Sequence, residues 1–424
     1  MTTTGLAAFP ASLSRRLAER FALVAFGLYH LPLFLNNFPS LGGGGFGEGL
    51  AVSWGHLFTR PGLWLAHWLF GVGTSAQASA GDNGDVAEEF ARLLLAVGVG
   101  VIAAIVWTIA DRRRPRAAWV DGALRVLLRY SIALGLASYA IAKLMPQQFP
   151  PLNAMNYETR VGELTPMRLL WNFMQYSRPY NFFGGVMESA AVALLLFRRT
   201  ATLGALVTIA VMTNVALMNY AYDVPVKLYS TMILISAGVL ALCDSRRLAA
   251  VFIANRAVPP AFQPTILEGR IPGPLRFALK VLLIGSVIAS SVVAFERSAP
   301  ARVPAADGVD GAWGITSFTR DAGTPGASAF PNWRRVIIDE HTVFVRLDND
   351  TMVGCRRLPS TAESTLSLSC GRFAGDMRWS ISDTHQLRLD GTFAGAKTSV
   401  IARRLDEKDY PLMRGGFRML YDRR

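Results

Sequence analysis

The sequence predicts a mainly α-helical, polytopic transmembrane bundle of about seven spans, followed by a soluble all-β domain, a small barrel or sandwich. Three observations predict it. Hydrophobic residues make up 51% of the chain and charged ones 17%, where a soluble domain carries about 25% charged residues. The apolar residues gather in blocks of roughly 17–22, the length a helix needs to cross about 30 Å of hydrocarbon, and these blocks stop at Phe295. Beyond Phe295, short runs alternate apolar and polar residues with the strand period of two, separated by turn residues.

Read in order, the blocks give spans at about 21–37, 93–110, 124–145, 180–197, 202–220, 227–243 and 276–295. Arg15, Arg16 and Arg20 precede the first, and Arg112, Arg113, Arg114 and Arg116 follow the second. Arg198 and Arg199 follow the fourth, and Arg246 and Arg247 the sixth. With seven spans every cluster falls on one side, which the positive-inside rule makes the cytoplasm. The expectation is a bacterial-type inner-membrane protein with its N-terminus cytoplasmic, its terminal domain periplasmic and the lipid bilayer as its first partner.

The net charge of +13 invites a nucleic-acid reading, but its distribution argues against one. Residues 297–424 hold 19 Lys/Arg and 15 Asp/Glu, a net of +4, and residues 1–296 the remaining 24 and 15, a net of +9. Most of that excess flanks apolar spans, so no nucleic-acid partner is expected. The apolar stretch after Arg20 is followed by no small-residue cleavage site, so it reads as a span rather than a signal peptide.

The segment 38–90 is the first large outer loop. It opens on Gly42 to Gly45 and holds an aromatic, Gly- and Pro-interrupted stretch from His56 to Val72. That stretch reads as an interfacial or re-entrant helix anchored by Trp54, Trp64 and Trp68, the alternative being a hairpin of two further spans. The acidic run Gly81 to Glu89 reads as a solvated loop. The second outer loop, 146–179, opens on Pro146, Pro150 and Pro151 and contains a short surface helix from Met167 to Tyr176. Residues 248–275 form a Pro-containing connection and 298–312 a linker. In the terminal domain strands are expected at 335–338, 342–347, 351–357, 365–370, 376–381, 386–390 and 397–403, with turns at Asp348-Asn349-Asp350 and Asp390-Gly391.

Candidate chemistry centres on Glu188, near the middle of the fourth span. A carboxylate there costs several kcal/mol unless paired, hydrated or protonated, which marks it for function or for a structural partner. Lys143, Tyr130 and Asn214 are the groups that could reach it. A second cluster, Asn219, Tyr220, Tyr222, Asp223 and Lys227, lies at the outer end of the fifth span. Asp223 and Lys227 are four apart, but Pro225 between them disfavours a simple helical pair; the alternative to a site is a tight outer turn. His30, His56 and His67 fall on the outer half, where two imidazoles could hold a haem or metal, although their spacing specifies no metal site. His341 and His385 read as surface residues. No P-loop, dinucleotide-binding, zinc-protease or serine-hydrolase motif is present. Cys355 and Cys370 are disulfide candidates, since antiparallel strands joined by the turn between them would bring the two opposite one another. Two buried thiols are the alternative.

Residues 129–248 resemble the DoxX-like membrane proteins. Arg129-Tyr130, Leu134-Gly135 and Ala142-Lys143-Leu144 in the third span, and Glu188 ahead of Leu194-Leu195-Leu196 in the fourth, carry the resemblance. It implies a four-helix membrane bundle and permits a quinone-linked role, some members being associated with a quinone-reducing thiosulfate oxidoreductase. The chain also resembles bacterial membrane proteins of this architecture with no assigned activity. The expected domains are N-terminal transmembrane helices over 1–120, the DoxX-like bundle over 121–250, a connection and last span over 251–297, and an extracytoplasmic β domain over 298–424. Two functions are carried forward: a redox-linked component that binds a quinone or similar lipid-soluble ligand near Lys143, Glu188 and Asn214, and a non-catalytic binding or assembly factor whose β domain holds a lipid, glycan or partner protein.

Overall fold

The structure, a computed structural model, describes residues 12–36, 46–71, 85–111, 118–145, 147–259, 272–298, 308–321, 330–339, 342–358, 364–382 and 386–414. Gly42 to Gly45, Arg112 to Arg116, Pro146, residues 299–307 of the expected linker, His341 and His385 lie outside the described residues. The chain divides into two compact units, one of residues 1–150 and 166–296, the other of residues 151–165 and 297–424.

The first unit is helical. It contains α1 (Leu13–Asn36), α2 (Phe46–Phe70), α3 (Ala87–Ala110) and α4 (Ala118–Leu144); α5 (Ala154–Glu158) belongs to the second unit. After it come α6 (Pro166–Tyr176), α7 (Arg178–Leu196), α8 (Ala201–Ala221), α9 (Lys227–Leu242), α10 (Ser245–Phe252) and α11 (Gly273–Ser298). Every expected span falls on a helix. Among the described residues four of them, α1, α3, α4 and α8, are long and apolar enough to cross a membrane, and five if α9 and α10, bent by 75°, form one broken span. Arg178, Asn181 and Glu188 lower the apolar character of α7, and several side chains of α11 lie outside the described residues. The chain is thus built to associate with a membrane.

α4 is the axis of this unit. Its 27 residues extend about 40 Å, and it packs against α1, α7 and α9. Leu128, Ile132, Ala133, Leu134 and Leu136 are fully buried along it. At its N-terminal end Arg125 bridges Asp121 (3.1 Å) and Asp244 (3.0 Å), and Asp244 also accepts from Thr202. One turn on, Arg129 donates to the carbonyls of Leu195 (2.9 Å) and Leu196 (3.1 Å) at the end of α7. Those carbonyls have no intrahelical donor, and a cation is favoured at a helix C-terminus.

Residues 46–70 form a single helix that continues through Pro61, so the hairpin alternative is corrected. A bend by Pro is tolerated where neighbours re-satisfy the backbone, and α2 lies flush on α3: a Cβ at Gly62 would stand 2.8 Å from the Ala91 carbonyl oxygen. Trp64 and Trp68 are exposed on its far side.

The second unit is a closed eight-stranded barrel with every neighbour antiparallel and β8 returning to β1. Its strands are β1 (Gly311–Arg320), β2 (Trp333–Ile338), β3 (Thr342–Leu347), β4 (Met352–Leu358), β5 (Thr365–Cys370), β6 (Phe373–Ile381), β7 (Gln386–Phe393) and β8 (Ala396–Leu405). Seven of these were expected. β1 was not, since Gly311 and Gly314 dilute its alternation; it also runs into the expected linker. Closure matters because β1 removes both open edges. Eight strands enclose a space that side chains just fill, and Trp313, Val336, Val343, Val345, Leu366, Met377, Leu387, Leu389, Phe393 and Val400 fill it, all with 0% exposure. Phe330, Trp333 and Phe393 stack edge-on with centroids 5.1–5.2 Å apart.

β6 and β7 meet closely at two glycines. A Cβ on Gly391 would stand 2.1 Å from the Asp376 carbonyl oxygen, and one on Gly375 2.2 Å from that of Thr392. Gly391→Ala should therefore push the two strands apart, lowering barrel stability by about 1–3 kcal/mol. Thermal unfolding followed by tryptophan fluorescence checks this, and an unchanged midpoint would contradict the close approach.

Candidate functional site

Lys143 and Glu188 meet in the helical unit. Lys143 lies in the last turn of α4, and Glu188 lies midway along α7, a helix whose start is capped by Ser177, which accepts from the Tyr180 amide (3.4 Å). The two helices touch where Gly185 faces α4: a Cβ there would stand 3.0 Å from Leu144 and 3.2 Å from the Ala140 carbonyl. Glycine one turn before Glu188 thus lets the carboxylate approach Lys143. Lys143 Nζ donates to Glu188 Oε1 in an ion pair whose side chains are 7% and 1% exposed. The ammonium also sits 5.5 Å from the Tyr139 ring, which stacks on Tyr229 at 5.9 Å.

Two acceptor atoms at this pair are left over. Glu188 Oε2 and Asn181 Oδ1 are buried without a hydrogen-bond partner among the described residues, while Asn181 Nδ2 donates to the Lys143 carbonyl (3.3 Å). Asn181 and Glu188 are seven apart, two turns along one face of α7. A buried acceptor without a donor costs about 1–3 kcal/mol, so the arrangement suits a group that brings a hydroxyl, N–H or proton. Asn181 was missed in the sequence because a single Asn at the start of a span gives no signal apart from its helical phase with Glu188.

Two other expected neighbours are elsewhere. Asn214 is exposed on α8, whose buried face carries Met212, Ala216 and Asn219. At 100° per residue Asn214 stands 200° from Met212, the opposite side of the helix. Its inclusion in the site is corrected. Tyr130 is thirteen residues before Lys143, about 20 Å along α4, and lies under Arg129, 5.7 Å from ring centroid to guanidinium.

The second cluster is a turn. Asn219 is buried and donates to Ser230 Oγ (3.0 Å), tying α8 to α9. Asp223 and Lys227 do pair, at 2.8 Å, despite Pro225. The pairing is not helical: Asp223 has φ +53° and sits before α9, so the turn itself brings the charges together. Asp85, in the run expected to be a solvated loop, is the residue that fixes this turn. Its carboxylate accepts from the Lys227 (3.0 Å) and Leu228 (2.8 Å) amides and caps α9. Nothing local in the sequence links positions 85 and 227.

Among the described residues, His30 and His67 are not brought together as ligands. His30 is buried, hydrogen-bonded through Nε2 to Ser236 Oγ (3.0 Å) and stacked on Phe26 (6.0 Å). His67 is exposed on α2, and the His56 side chain lies outside the described residues. No cluster of metal-ligating side chains is found among the described residues. In the barrel, Cys355 and Cys370 form a disulfide with Cα atoms 4.2 Å apart. The pairing Arg356 with Ser369 puts the two cysteines directly opposite on β4 and β5, and both point into the packed interior.

No protein-family model matches the chain. No solved structure matches it either. Among curated proteins it is similar to the uncharacterized protein YwoB of Bacillus subtilis (strain 168), at 31% identity over 133 residues, covering 29% of this chain and 79% of that protein. The match covers about four fifths of that protein's length, and the chain belongs to the family of YwoB.

Proposed function

We propose that this chain is an inner-membrane protein of bacterial type, with its N-terminus in the cytoplasm and its barrel in the periplasm, whose helical unit binds a small lipid-soluble ligand of the quinone class at Lys143, Asn181 and Glu188. The observation that carries the reading is the buried ion pair with two unmatched acceptor oxygens beside it. Ionisable groups inside a membrane are retained at a cost, and their default reading is functional. A quinone carbonyl would accept from Lys143, and a quinol hydroxyl would donate to Glu188 Oε2. The stacked Tyr139 and Tyr229 supply a flat apolar wall for a ring. The DoxX-like resemblance of residues 129–248 adds support from the permitted quinone-linked role, and the alternation of the arginine clusters supports the orientation.

The second reading is a non-catalytic assembly factor with a membrane or periplasmic partner protein. It is favoured by the way Lys143 and Glu188 satisfy one another. In that reading the filled barrel interior leaves its outer surface for partners.

Organic extraction of the detergent-purified protein separates the two. The binding reading expects a quinone at near-equal molar amount, reduced about tenfold or more in Glu188→Gln, in line with the loss of a hydrogen bond to a charged group. Extracts no richer in quinone than those of an unrelated membrane protein purified alongside would overturn it.

A further inference from the structure

The barrel unit contains a short piece of chain that comes from the middle of the helical sequence. Residues 151–165 join α4 to α6 and are separated from β1 by about 145 positions, yet they belong to the same compact unit as the strands. Asn153 caps α5 by accepting from the Asn156 amide (3.2 Å), and the helix ends at Glu158. The Glu158 side chain is 3% exposed. Its Oε1 accepts from Arg335 on β2 and from the Tyr410 hydroxyl (2.7 Å), and its carbonyl accepts from Arg346 on β3. Arg346 points out of the barrel and is still only 4% exposed, because this segment covers it; Arg346 also donates to Glu163 (3.2 Å). Arg160 pairs with Asp350 at 2.5 Å, and Tyr157 stacks on Tyr410 at 4.8 Å.

We infer that Arg335 and Tyr410 form a carboxylate-recognition site on the outside of the barrel whose occupant is this chain's own Glu158, that Arg346 completes the clasp by holding the Glu158 carbonyl and the Glu163 carboxylate, and that this clasp fixes the α4–α6 loop and the barrel in one compartment. The clasp has a consequence for the spans. A loop and a domain held together must lie on the same side of the bilayer, so the chain crosses an even number of times between residues 165 and 297. α6, with 11 residues, is about 16 Å long and too short to cross. That leaves α7, α8, the broken pair α9–α10, and α11. If α8 and the broken pair cross, then α7 and α11 either both cross or both do not. With α1, α3 and α4 as the crossings ahead of the loop, the bundle then has five spans or seven, and never six. α7 with its buried Glu188 and α11 are thereby tied to one another.

This inference rests on the helical unit being embedded in a membrane, and carbonate extraction of the full chain tests that premise by itself. Sidedness is tested in a Cys243→Ser background with single cysteines at Val161 (75% exposed) and Leu412 (53% exposed). Intact spheroplasts are treated with a membrane-impermeant maleimide. The two positions should label alike, both before lysis or both only after it; labelling of one alone would overturn the shared compartment. The clasp is tested on detergent-solubilised full-length protein. Glu158→Gln should raise tryptic cleavage after Arg160 by about tenfold or more, because cleavage follows local opening and the amide loses the charge-assisted hydrogen bonds that Arg335 and Tyr410 make to the carboxylate. Tyr410→Phe, which keeps the ring against Tyr157 and removes one hydroxyl, should move cleavage in the same direction by less. Cleavage rates of both variants equal to that of the unaltered protein would overturn the role of Glu158.

Discussion

Lys143→Met, with Glu188 left in place, will destabilise the helical unit by about 3–5 kcal/mol, the usual consequence of stranding one member of a buried ion pair. The 1% exposure of Glu188 is the reason: no water replaces the lost ammonium, and the acid survives only by taking up a proton. The double variant Lys143→Met/Glu188→Met should recover most of that loss, because replacing a whole buried pair by apolar groups of similar volume is often neutral. Glu188→Gln should still insert, since an amide avoids the cost of the carboxylate, but it strands the buried Lys143 ammonium and should lose stability as well. Thermal melts in one detergent measure all three. A loss in the double variant as large as that of Lys143→Met alone would mean that the stranded Glu188 carboxylate is not the source of the loss.

Replacing Cys355 and Cys370 together by Ser will lower barrel stability by about 3 kcal/mol, the chain-entropy value for a closed loop of 15 residues. The bond links neighbouring strands inside a filled barrel, so the buried serine hydroxyls would also lack partners. Mass spectrometry of alkylated, non-reduced protein reads the bond directly. Complete alkylation of both thiols after denaturation without reductant would remove it, and would also count against the proposed periplasmic location, because the cytosol does not maintain structural disulfides.

The barrel unit should also be acid-sensitive. The hydrogen bond from Arg160 holds Asp350 below the usual carboxylate range, and that from Arg346 does the same for Glu163. A lowered folded-state pKa means that the unfolded chain binds the proton more readily. The stabilisation is complete above the ordinary carboxylate pKa of about 4 and is lost as the pH falls from there through the lowered values. Melting midpoints of the barrel between pH 6 and pH 3, followed by fluorescence of its buried tryptophans, should fall at the acid end. Asp350→Asn combined with Glu163→Gln should flatten that fall; an equal fall in the variant would place the acid sensitivity in other groups.

The sequence by itself determined the elements. Apolar blocks of membrane length become helices because a backbone in hydrocarbon must satisfy its own hydrogen bonds, and alternating runs become strands because side chains on a strand point to opposite faces in turn. The pairing of Cys355 with Cys370 was readable because one turn joins their strands. A conspicuous charge in an apolar run singled out Glu188, with Lys143 as a candidate partner. Tertiary structure decided which residues meet. Helical phase sent Asn214 outward and brought in Asn181, and that phase has meaning only once the neighbour of each face is known. Asp85 caps a helix 142 positions away, β1 was recognisable only as the strand that closes the sheet, and Glu158 reaches Arg335 across 177 positions. Those pairings are long-range, set by packing and burial, and local spacing carries no record of them.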